Sequence, residues 1–135
     1  MPHLITRDGC RLAYRIRGQG SPTIVFIHGW CSNQRHWDAQ MRYLGRHYRV
    51  LSVDRRGHGQ SDTPNGGYTA DQHAADLLEI LKKERVRSAV LVGHAGGVPT
   101  TLALTRAAAS RIKALVLIDS RVSPAADLAD PNDPA

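Results

Sequence analysis

Apolar runs alternating with helix-period segments constrain this chain more than any other feature of it. Thr23-Ile-Val-Phe-Ile27 is an unbroken β-branched and aromatic run, the signature of a strand buried on both faces. Similar runs follow at 48–53, 88–92 and 114–118. Between them lie segments with helical spacing. The first, 34–45, carries Trp37, Met41 and Leu44; the second, 69–84, puts Ala74, Leu77, Leu78 and Leu81 on one face; the third is 96–109. Strands alternating with helices imply right-handed crossovers and a largely parallel sheet, so the class is α/β. Ahead of the first run, residues 3–6 and 11–17 flank Asp8-Gly9, a hairpin signal. Leu12, Tyr14 and Ile16 alternate there with Arg11, Arg15 and Arg17, which predicts a strand with one wet face.

The length of 135 residues suits one domain. The expected division is a core over 1–122 and a polar, proline-punctuated tail over 123–135. The net charge of +6 raises the question of nucleic acid. Of 18 basic residues 15 are arginine, scattered with no run longer than Arg55-Arg56 or Lys82-Lys83, and only seven aromatics could stack on bases. That distribution argues against a nucleic-acid partner. No segment approaches the roughly 20 apolar residues that span a bilayer. The two cysteines, Cys10 and Cys31, have neither disulfide-framework nor metal-ligand spacing. A cytoplasmic protein without metal, cofactor or membrane partner is expected.

In open α/β sheets, ligands sit beyond the carboxyl ends of the strands. Three such ends carry unusual residues: His28-Gly29-Trp30-Cys31, Asp54-Arg55-Arg56-Gly57-His58-Gly59-Gln60-Ser61, and Gly93-His94-Ala95-Gly96-Gly97. The last has the form of a nucleophile turn, a sharp strand-to-helix bend whose central residue is pushed into the cleft. Its flanking glycines are needed where strand and helix pass close together. A serine would occupy position 95, but alanine stands there, with no lone pair to attack a carbonyl. The backbone N–H groups of Gly96 and Trp30 can converge on one point as an oxyanion hole, worth about 3–4 kcal/mol per donor. The 54–61 segment reads as a tight structural turn, and His58 is not taken as a base.

His-Gly-Trp, then Asp-Arg-Arg-Gly-His-Gly-Gln-Ser, then Gly-His-x-Gly-Gly, in this order and at these separations, resembles the α/β-hydrolase fold family. The likeness is to its esterase, haloalkane dehalogenase, haloperoxidase and lactonase-like branch, over residues 3 to 123. It implies an N-terminal portion of that fold, a hairpin followed by parallel strands and crossover helices, ending before the cap and last strands. It implies Ala95 at the nucleophile position, Trp30 and Gly96 as oxyanion donors, and Asp119 as an acid position used in some branches. His28, Gly29, Trp30 and His94 would face substrate.

The family's catalytic histidine lies late in a chain about twice as long, and none of the seven histidines here takes its place. The parent activity expected is hydrolysis of a small carboxylic ester or lactone, and the chain as written is expected to be inactive. Two other readings remain open: a non-catalytic small-ligand-binding protein, and a cofactor-free dioxygenase of heteroaromatic rings. A chain ending here would leave 114–118 as an apolar edge strand, open to self-association or to a missing C-terminal half.

Overall fold

The computed structural model describes residues 1–120, so the expected tail over 123–135 lies outside the described residues. Six strands form one sheet: β1 (His3–Ile5), β2 (Arg11–Arg17), β3 (Thr23–Ile27), β4 (Arg49–Val53), β5 (Ala89–His94) and β6 (Ile112–Ile118). Their spatial order is β1-β2-β4-β3-β5-β6. The hairpin β1–β2 joins β4 antiparallel, while β4, β3, β5 and β6 run parallel. Three helices cover the sheet: α1 (Asp38–Leu44), α2 (Ala70–Lys83) and α3 (Val98–Ala107).

The buried strands carry alternate side chains to two separate cores. Val25 and Ile27 of β3, Leu51 and Val53 of β4, and Leu91 of β5 pack with Leu77, Ile80 and Leu81 of α2 and Leu104 of α3. Phe26, Val50 and Val92 point the other way, onto Trp37 and Met41 beside and within α1. The period of two in each strand and the helical spacing of the apolar residues thus meet in both layers.

Helix starts are set by side-chain oxygens. Thr69 accepts a hydrogen bond from the backbone N–H of Gln72 at 3.1 Å, opening α2. Asn33 accepts one from Arg35 N–H at 2.9 Å and opens a 3-10 turn over Gln34–Trp37, so the segment expected as one helix from 34 begins as a tighter turn. The expected helix from 96 likewise starts with a 3-10 turn at Ala95–Gly97, and α3 proper follows with Pro99 in its first turn, where a missing N–H costs nothing.

The wet face expected for β2 needs correction. Arg11 and Arg17 are exposed, but Ala13 is buried and Arg15 half-buried. The 34–38 segment covers this face: Arg15 donates to Gln34 Oε1 at 3.0 Å and to its carbonyl at 2.9 Å, and pairs with Asp38 at 2.7 Å. On the far side, β6 pairs only with β5 among the described residues, and Val116 and Ile118 stay exposed. No helix among the described residues is long and apolar enough to cross a membrane.

Candidate active site at the β5–α3 turn

The turn after β5 is built around two glycines that admit no side chain. A Cβ on Gly97 would lie 2.5 Å from the Ile27 carbonyl oxygen and 2.8 Å from that of His28, so the start of α3 rests on the end of β3. A Cβ on Gly93 would meet Thr101 Oγ1 at 2.3 Å. Between them Ala95 has φ +48°, a left-handed backbone that alanine adopts only at a cost of about 1–3 kcal/mol. Ala95 thus forms a strained apex between the two glycines, and its side chain is a methyl group.

The β3 loop presses on this turn. A Cβ on Gly29 would lie 3.3 Å from the Ala95 Cβ and 3.5 Å from the Gly96 nitrogen. The Trp30 indole lies against Gly96, where a Cβ would meet its Cδ1 at 2.3 Å, and the ring is otherwise 74% exposed. Asp119, exposed and at φ +53°, follows Ile118, the residue that pairs with His94 across β5–β6. The register thus brings Asp119 to the same end of the sheet as Ala95. Gly29, Trp30, Ala95 and Gly96 come together directly.

Two residues expected to face substrate do not. His28 is fully buried, with no surface to offer a ligand. Its Nε2 accepts a hydrogen bond from the Arg55 backbone N–H at 3.1 Å, which leaves the proton on Nδ1, donating to the Gly29 carbonyl at 2.8 Å. It ties the β3 loop to the β4 loop. His94 is half-buried, stacked on His36 at 4.9 Å between ring centroids, with Trp37 edge-on at 6.4 Å. That packing turns its ring toward the 34–37 segment.

Residues from the β4 loop and α2 line the cavity beside the turn instead. A pocket of about 500 Å³ opens beside Gly96, with Trp30, Arg55, His58, Tyr68 and His73 among its walls. Within the 54–61 segment, Asp54 accepts hydrogen bonds from Gln34 N and Nε2 and from Gln60 N, and Ser61 Oγ donates to the Asp54 carbonyl. The turn is self-bonded as expected, yet its Arg55 and His58 still face the pocket. Sequence reasoning missed Arg55, Tyr68 and His73 because their neighbours come from distant segments. The one available signal was His73 in the first turn of α2, one residue before the apolar face of Ala74, Leu77 and Leu81 begins.

Burial pushes the His28 pKa down to about 4 and that of His73 to about 3, from an ordinary 6.5; the positive charge of Arg55 adds to both. Both rings are neutral in the fold and protonate in the unfolded chain, so unfolding takes up protons below pH 6.5. Stability from these groups is whole above pH 6.5 and is lost as pH falls toward 4 and then 3. The loss is on the order of 3 kcal/mol per group at the acid end. The urea midpoint should begin to fall near pH 6.5, well before free carboxylates titrate. A midpoint flat from pH 7 to 5 would contradict this.

The family model described as "alpha/beta hydrolase fold" matches residues 22–135. The non-heme chloroperoxidase of Streptomyces lividans is 38% identical over 98% of this chain and 49% of its own length. Among solved structures, Est816, described as an N-acyl homoserine lactone degrading enzyme, is 31% identical, with a TM-score of 0.85 over 98% of this chain and 52% of that one. A hydrolase from Pseudomonas aeruginosa PA01 is 38% identical, with a TM-score of 0.81 over 93% of this chain and 49% of that one. The chain spans about half the length of the relatives it matches. With its sheet order, its glycine-flanked turn and these likenesses, the chain belongs to the α/β-hydrolase fold family.

Proposed function

We propose that this site is built for hydrolysis of a small carboxylic ester or lactone through residue 95, and that alanine there leaves this chain able to bind but not to turn over such a molecule. In the full scheme, residue 95 attacks the carbonyl carbon and a histidine from the family's C-terminal half takes its proton. The N–H groups of Trp30 and Gly96 receive the oxyanion, and Asp119 stands at the acid position. The observation that carries the reading is the backbone of Ala95, held at φ +48° between glycines that nothing larger could replace. A strained, glycine-flanked turn of this kind makes sense as one shaped for a nucleophile. The lactone-degrading description of Est816 supports an acyl substrate.

One observation favours a second reading, a non-catalytic small-ligand-binding protein. The pocket beside Gly96 is walled by Trp30, Tyr68, His58 and Pro99 without any contribution from a serine. The two readings part on one experiment. Under the first, a cysteine placed at 95 is acylated by p-nitrophenyl acetate and releases one equivalent of p-nitrophenolate. Under the second, it reacts like any free thiol.

A further inference from the structure

Arg55 and Arg56 are adjacent, of one residue type and buried alike, at 4% and 0% exposure. Their surroundings differ completely. Arg56 Nε and Nη2 hold Asp76 as a two-pronged fork at 2.7 and 2.8 Å, and its Nη1 reaches Asp8 at 2.8 Å. Arg55 presents the same Nε and Nη2 edge, and there both nitrogens are buried without a partner among the described residues. Its side chain's single hydrogen bond among the described residues runs from Nη1 to the Gly96 carbonyl at 3.5 Å. The neighbouring carboxylate of Asp54 is occupied by Gln34 and Gln60.

A guanidinium taken out of water without a counter-charge is costly, and burial alone pushes the Arg55 pKa down to about 10. His73, in the wall of the same pocket, adds a third nitrogen, Nδ1, that is buried and without a partner among the described residues. The remaining walls are largely apolar or aromatic, from Trp30, Tyr68, Ala70 and Pro99.

We propose that Arg55 holds the carboxylate of a compact organic acid in this pocket by its uncompensated positive charge, while the apolar body of the ligand rests against Trp30 and Tyr68. One negative charge balances the one uncompensated positive charge. A neutral ligand of the same shape leaves the guanidinium unpaired and gains only the apolar contacts. The proposal deepens the reading of this cleft as a ligand site by naming the ligand class: the substrate or ligand carries a free carboxylate on the pocket side of residue 95.

The test is an NMR titration of the 135-residue chain with benzoate and with benzamide, following the Trp30 indole N–H. Benzoate should bind saturably, and benzamide at least about tenfold more weakly. Arg55→Gln should weaken benzoate by at least about tenfold and leave benzamide unchanged. Its thermal midpoint should hold or rise, since the side chain removed has no ionic partner. Saturation that is absent, equal for the two probes, or unaltered in Arg55→Gln overturns the proposal. The wild-type comparison of the two probes decides the matter even if the variant fails to fold. Acylation at residue 95 plays no part in this readout, so failure here leaves the hydrolase reading standing, and the converse holds as well.

Discussion

Replacing Arg56 with methionine should remove about 3–5 kcal/mol of folding stability, a large share of what a domain of this size has. Arg56 is fully buried at the end of the β4 loop, where it joins three separate segments. Its guanidinium holds Asp76 of α2 and Asp8 of the β1–β2 hairpin, and Nη1 also donates to the Gly66 carbonyl at 3.4 Å. Asp76 is only 4% exposed, so methionine leaves a carboxylate buried without its cation, and that desolvation cost drives the loss. The two carboxylates in turn hold the Arg56 pKa far above its ordinary value, and Arg56 with Thr6 pulls that of Asp8 well below the carboxylate range. Asp8→Asn should cost far less, because that side chain is 51% exposed and water replaces the lost partner. In a thermal melt Arg56→Met should lower the midpoint by roughly 10–20 °C. A drop of a few degrees, or one matched by Asp8→Asn, would mean that the network does not clamp hairpin, loop and helix as described.

The contrast between Arg55 and Arg56 also shows where the sequence stops being informative. Strands β3 to β5 were legible because burial on both faces demands apolar residues, β6 because its run of apolar residues is continuous, and the three crossover helices because their inward faces repeat at helical spacing. Gly93 and Gly97 were legible because a strand-to-helix turn this tight excludes a Cβ. Such features depend on residues close in sequence. Arg55 and Arg56 have the same chemistry and the same neighbours in the chain. What separates them is that Asp8 and Asp76 approach one and not the other, and those carboxylates lie 48 and 20 residues away.

His28 misled for the same reason. A histidine at the carboxyl end of a buried strand looks like a ligand-facing group, yet the Arg55 backbone N–H closes over its Nε2. Arg15, which read as part of a wet strand face, lies under the 34–38 segment through Gln34 and Asp38. In each case the deciding partner is distant in the chain.

The claim at the centre of this account is that the β5–α3 turn is a nucleophile's seat with the nucleophile removed. Ala95→Cys, made in a Cys31→Ser background so that the exposed native thiol is silent, tests it on the chain as it stands. Cysteine needs no histidine to become a nucleophile. An ordinary thiol pKa of about 8.5 already gives some thiolate near neutrality, and a position opening a helix lowers it further. The thiolate would attack the carbonyl carbon of p-nitrophenyl acetate, the oxyanion would settle on the N–H groups of Trp30 and Gly96, and p-nitrophenolate would leave. The acyl thioester should then persist, because no side chain among the described residues is hydrogen-bonded at residue 95 as a base for water. The expected result is a burst of one equivalent of p-nitrophenolate, acetylation confined to residue 95, and a rate per thiolate about 10²-fold above N-acetylcysteine, the usual worth of an oxyanion-hole donor. A rate per thiolate equal to that of N-acetylcysteine would contradict the account, and the pocket would then be a binding site that never held a reacting carbonyl.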